Sequence, residues 1–167
     1  SSIALDAAGN LYIAEFAGHR VRRVDAATGL ITTVAGTGVP GYSGDGAAAT
    51  QAKLGGPRGI AVDKKGDLYI ADTGNHCIRM VAASTGIITT IAGTGNSGSA
   101  GDGGPATAAE LLSPTAVALD AAITTATASA CATPRLTSPV CVSTILTLPF
   151  VSNFALRLLV QTLSTLR

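Results

Sequence analysis

The sequence predicts an all-β fold: a partial β-propeller of two four-stranded antiparallel blades plus the first strand of a third, followed by an irregular or weakly helical tail. Three observations carry this. Residues 1–57 and 58–114 align without a gap and share 30 of 57 positions. Within each copy, short β-branched or alternating segments are separated by Gly- and Asp-bearing turns. A further copy opens at Pro114 and stops matching after Ala122. A fixed period of this length marks an array of one supersecondary unit, and such units bury their apolar faces against neighbours. A twisted four-stranded unit with two apolar faces satisfies that requirement when units pack radially.

Each strand can be read in order. The first is Gly59–Asp63, matched by Ile3–Asp6 and Ala116–Asp120, small and apolar as a tightly packed inner strand must be. Asp63-Lys64-Lys65-Gly66-Asp67 is a turn, because Asp bonds back to the backbone and Gly accepts positive φ. Leu68–Asp72 is the second strand, Cys77–Val81 the third and Ile87–Gly93 the fourth, with Thr73–His76 and Ser84–Gly86 as the connections. A long Gly-rich linker, Thr94–Ser113, leads onward. Pro105–Leu111 suits one helical turn with Pro near its start. The expected organisation is blade 1 at about 3–38, blade 2 at about 57–95 and the start of blade 3 at about 114–120, within a repeat region 1–122.

The tail, 123–167, breaks the pattern in mid-motif. Residues 121–167 contain no Gly, Asp, Glu or Lys. Three readings stand: a shifted reading frame, a Thr/Ser-rich linker, or a membrane-associated segment within residues 140–160, where Val140–Leu156 is uncharged but interrupted by Pro149 and Asn153. A helix over Phe154–Leu166 is the expected local structure, and the tail is not expected to complete a third blade.

Bulk composition narrows the function. A net charge of +1 gives no electrostatic footprint for nucleic acid, and 4% aromatics leave few stacking platforms. The three cysteines, Cys77, Cys131 and Cys141, have no zinc spacing; a bridge between the last two and three free thiols are both compatible with the sequence. The chain opens inside a repeat, so further blades are expected outside it, and an extracytoplasmic location is slightly favoured.

The motif Gly59–Val81, GIAVDKKGDLYIADTGNHCIRMV, resembles the NHL repeat, named for Asn-His-Leu. Its Asn-His falls on Asn75 and His76, with Cys77 where Leu is expected; the first copy keeps His19 but has Gly18 for the Asn. The linker Ala92–Asp120 resembles the long form found in many such propellers. The resemblance covers about residues 1–122. It implies a propeller, usually of about six blades, that serves as a binding platform for protein or RNA, while related six-bladed propellers include lactonases and lyases. The fold by itself implies no activity.

Candidate ligand-loop residues are Asp72, Asn75, His76 and Arg79, with Glu15, His19 and Arg22 in the first copy, and Asp45 and Asp102 in the linkers. Acid and His residues repeated at one propeller end suit a metal or acid–base site. The competing structural reading is preferred: Asp and Asn cap the loop, and His bonds to backbone. Arg79 and Arg22 are read as partners of the acid seven residues earlier, across the hairpin. One carboxylate per SerGlyAspGly or AlaGlyAspGly loop is too few for calcium, so Asp45 and Asp102 are read as turn residues. No nucleophile elbow or phosphate loop is present. The expectation is a non-catalytic binding or scaffold module for a protein or small-molecule ligand, with no cofactor and no metal. A fragment of a propeller enzyme, or the ligand-binding part of a membrane-anchored sensor, is the alternative.

Overall fold

The computed structural model describes residues 2–120, 125–129, 144–147 and 157–160. Two four-stranded antiparallel sheets form, each in simple meander order. Blade 1 contains β1 (Ile3–Leu5), β2 (Leu11–Glu15), β3 (Arg20–Val24) and β4 (Ile31–Ala35). Blade 2 contains β5 (Ile60–Val62), β6 (Leu68–Asp72), β7 (Cys77–Val81) and β8 (Ile88–Ala92). The chain is therefore an all-β partial propeller.

The turns form as the sequence demands. Asp63 Oδ1 accepts from the backbone N–H of Lys65 and Asp67 at 2.8 and 2.9 Å, and Gly66 takes a φ of +88°. Asp6 repeats this arrangement with Ala8 and Asn10, both at 2.9 Å. The register matches residue for residue between the blades, including one irregularity, at Val21/Arg22 and again at Ile78/Arg79. Such a bulge re-aims the side chain beside it, and in both blades that side chain is the repeated Arg.

The core lies between the blades. Tyr12, Ala14, Val21 and Ala35 of blade 1 face Ile60, Leu68, Ile70, Val81 and Ile88 of blade 2, with Ala49, Ala52 and Leu54 of the linker filling the gap. A second cluster, Tyr69, Ala71, Ile78, Ala92, Ala106 and Leu111, packs on Val117 of β9 (Ala116–Asp120). The first strands β1, β5 and β9 lie side by side in turn, as inner strands about an axis do. Each linker makes a single 3-10 turn, Ala49–Gln51 and Ala106–Ala108, the latter preceded by Pro105.

In the tail, β9 pairs with β10 (Thr125–Ser129), and β11 (Thr144–Thr147) pairs with β12 (Arg157–Val160). This corrects the expected helix over Phe154–Leu166, because Arg157–Val160 is a strand. The physical reason is a partner: the β-branched segment Thr144–Thr147 offers a pairing edge that helix propensity alone ignores. Among the described residues, β9 to β12 form two two-stranded sheets. Cys131 and Cys141 lie outside the described residues, as does most of the segment 140–160. Among the described residues no helix is long and apolar enough to cross a membrane.

Candidate functional site

Blade 2 shows what the repeated polar residues do. Asp72 ends β6 and is fully buried. Its Oδ1 accepts the Gly55 N–H at 2.6 Å, and its Oδ2 accepts Asn75 Nδ2–H at 2.8 Å. Asn75 Nδ2 also donates to the Gly41 carbonyl at 2.7 Å. Arg79 donates through Nη1 to the Lys53 carbonyl at 3.1 Å and through Nη2 to the Ser43 carbonyl at 3.0 Å. Nη2 also pairs with Asp45, while Asp72 Oδ2 lies 3.8 Å from Nη1. The Tyr42 ring stacks against this guanidinium, its centroid 5.3 Å from Cζ. Gly41, Tyr42, Ser43, Asp45, Lys53 and Gly55 all belong to the linker arriving from blade 1. Arg79, Asp72 and Asn75 therefore clasp the preceding linker onto blade 2.

The histidines serve the linker that follows. His19 Nδ1 accepts the Gly56 N–H, and His76 Nδ1 accepts the Ser113 N–H, each at 3.1 Å. Both residues adopt the left-handed region, with φ of 49° and 51°. Thr73 Oγ1 donates to the Pro114 carbonyl at 2.7 Å. The 3-10 turn Thr73–Asn75 sets this geometry.

Electrostatics agree with a structural role for these groups. Burial pushes the Asp72 carboxyl above its ordinary pKa, against the lowering effect of its bonds from Asn75 and Gly55. A carboxylate without solvent access and with both oxygens engaged is poorly placed for proton transfer to a ligand. Burial also raises the Cys77 thiol to about 12, far from the range of a reactive thiolate. In blade 1, the bond from Arg20 holds Glu15 below the usual carboxylate range, and Arg22 Nη1 lies 3.4 Å from its other oxygen. The structure thus brings Asp72, Asn75, Arg79 and Asp45 together. It places His76, His19 and the Glu15–Arg22 pair apart from them, and Asp102 on an exposed linker stretch. Among the described residues no three His, Cys, Asp or Glu side chains converge as a metal group would require.

Sequence reasoning paired Arg79 with Asp72 alone; the closer carboxylate is Asp45, 34 residues earlier. It also passed over Phe16, whose ring stacks on Arg58 with 4.3 Å from Cζ to the centroid. The available signal was a departure from the repeat. Phe16 stands where the second copy has Thr73, and Tyr42 where it has Ser99.

Comparison with known proteins places these blades. Residues 39–100 match the family described as the Teneurin NHL domain. Teneurin-3 of Danio rerio is 41% identical over 98 residues, covering 52% of this chain and 4% of the relative. NHL repeat-containing protein 2 of Homo sapiens is 32% identical over 82 residues, covering 48% of this chain and 11% of the relative. Among solved structures, an auxiliary nutrient binding protein from Bacteroides thetaiotaomicron superposes with a TM-score of 0.59 at 25% identity, covering 75% of this chain and 33% of that one. A protein of unknown function from the same organism gives a TM-score of 0.62 at 20% identity, covering 72% and 29%. The class is a partial β-propeller. The matched family model and the relatives mark the repeated unit as an NHL-type repeat. The chain spans about a tenth or less of the curated relatives' length.

Proposed function

We propose that this chain is a non-catalytic part of an NHL-type binding propeller, and that it presents a ligand surface at the loop end carrying the β2–β3 connection. The observation that carries the reading is a division of labour. In blade 2 the polar residues of the repeat, Asp72, Asn75, His76 and Arg79, are spent on clasping linkers, whereas Phe16, which breaks the repeat, stands exposed at the β2–β3 loop. Phe16 is exposed beside Arg58, and Tyr42 and Val39 are exposed on the neighbouring linker. An exposed aromatic with a stacked Arg is the kind of pair that anchors interfaces. The likeness to a nutrient-binding protein at 25% identity supports a binding role for the shared propeller scaffold.

The test is a peptide and oligosaccharide array probed with the whole chain and with Phe16→Ala and Arg58→Ala variants. Ligands should be captured by the parent chain and lost with either substitution, while circular dichroism is unchanged. Capture that ignores both substitutions, or turnover of lactone or ester substrates that falls with Glu15→Gln, would count for a different site or for an enzyme.

A further inference from the structure

We infer that the Phe16–Arg58 pair receives the carboxylate of an acidic peptide that also presents an apolar side chain, an assignment that rests on the loop-end surface proposed above. Phe16 follows β2 and Arg58 precedes β5, so both belong to the joint between blades 1 and 2.

The two joints of this chain share one backbone and differ in three side chains. At the first, the Gly56 N–H donates to His19 Nδ1; at the second, the Ser113 N–H donates to His76 Nδ1, each at 3.1 Å. Gly56 and Ser113 both take positive φ, 67° and 49°. On this common frame the second joint carries Thr73, Ser113 and Thr115 where the first carries Phe16, Gly56 and Arg58. The three changes depend on one another. A Cβ at Gly56 would meet Phe16 Cε2 at 2.7 Å, so the ring lies where a side chain at that position would be. Arg58 then stacks over the same ring, 4.3 Å from Cζ to the centroid. At the second joint Thr73 is buried and turns its hydroxyl to the Pro114 carbonyl. One joint thus closes on itself with small polar residues, while the other holds out an exposed aromatic ring and an exposed cation.

The chemistry of the pair points to a planar anion. Phe16 takes one face of the guanidinium, and among the described residues the Arg58 side chain has no ion pair and no hydrogen bond. Its N–H groups therefore stand free around the edge. A guanidinium held by stacking presents a fork that the two oxygens of a carboxylate fill together. A phosphate monoester carries nearly two charges and is met by clustered Arg side chains, whereas a single guanidinium stacks on the Phe16 ring. The surroundings are apolar. The linker passes the same loop, a Cβ at Gly38 lying 3.7 Å from the Gly18 carbonyl oxygen, and Val39 beside it is 52% exposed where the second copy has Asn96. The side chains of Phe16, Ala17 and Val39 offer no donor or acceptor. That suits an aliphatic side chain better than the hydroxyls of a sugar, which lose hydrogen bonds on burial there.

The test is an array of octapeptides in matched sets, probed with the full chain. The sets carry a central Leu-Glu, Leu-Gln, Leu-Lys or Leu-phosphoserine pair, and hexuronate oligosaccharides form a separate arm. The Leu-Glu set should be captured about tenfold or more better than the Leu-Gln set, the worth of a hydrogen bond between charged groups, and capture should fall as salt rises. Arg58→Glu should abolish that preference and move it to the Leu-Lys set. Gly56→Ser leaves every charge in place and should weaken capture by displacing the Phe16 ring; Ser113 shows that this backbone accepts the residue. Equal capture of Leu-Glu and Leu-Gln, a Leu-Glu preference that survives Arg58→Glu, or stronger capture of the phosphoserine peptides or the hexuronates would each overturn the inference. Capture that is blind to the acid yet lost with Phe16→Ala would overturn the carboxylate assignment alone and leave the loop-end surface standing. No capture that depends on Phe16 or Arg58, with any probe, would remove both.

Discussion

Replacing the same Arg in the two blades should have very different consequences. Arg79 is 0% exposed, bonded to two linker carbonyls and to Asp45, with Asp72 alongside. Arg79→Leu takes the donor from two linker carbonyls and strands one fully buried carboxylate, Asp72. Removing one member of a buried pair costs about 3–5 kcal/mol, and the orphaned carbonyls add to that. In blade 1, the side chain of Arg22 is 29% exposed and reaches only Glu15, at 3.4 Å. A solvent-screened pair contributes at most about 1 kcal/mol. Urea unfolding followed by circular dichroism measures both. The expected result is a large fall in midpoint for Arg79→Leu, a small one for Arg22→Leu, and incomplete rescue by Arg79→Lys, whose single ammonium cannot reproduce the forked geometry. Equal losses at the two positions would refute the assignment of Arg79 as the clasp of the incoming linker.

Gly93→Ala should destabilise far more than Gly86→Ala: both hold positive φ, but a Cβ at Gly93 would meet the His76 carbonyl oxygen at 2.5 Å, whereas nothing lies within 4 Å of Gly86, leaving roughly 1–2 kcal/mol of backbone strain there; thermal melts rank the two. In a Cys131→Ser, Cys141→Ser background, Cys77, buried and with its pKa raised to about 12, should resist a thiol reagent in the native state and react at once in urea. EDTA should leave the melting temperature unchanged, because Asp45 already pairs with Arg79; a drop of several degrees reversed by calcium would contradict that role. Glu15 has a lowered folded pKa, so its stabilisation is present above its unfolded value near 4.5 and is lost as pH falls through the folded one; Glu15→Gln should flatten that acid limb in pH-dependent urea titrations.

Much of the fold was legible because one strong signal repeats. β2, β3, β6 and β7 fall where alternation and β-branching put them, and the Asp–Gly turns close as their side chains require. The outer strand came out one residue shorter at each end, Ile88–Ala92 within the expected 87–93. Ile87 is instead half of an isolated bridge to Ala48, and the Gly93 N–H is turned to the Ala106 carbonyl. The tail was read less well. Its strands depend on which segment each one pairs with, and Thr- and Leu-rich segments carry no periodicity that separates strand from helix.

The candidate site was legible in its residues but not in its partnerships, and the reason is physical. A repeat read by itself pairs Arg79 with the acid seven positions back, since that acid lies across the same hairpin. Yet a residue conserved in register between two copies of one chain usually meets the same neighbour in each, and in stacked units that neighbour belongs to the adjoining repeat. Arg79 reaches back 34 residues to Asp45; His19 reaches forward 37 to Gly56, and His76 forward 37 to Ser113. The residues that look like an active site within one unit are the joints between units. By the same logic, residues free to recognise something else are those the joints do not need, and Phe16, exposed where the second copy has the linker-bonded Thr73, is such a residue.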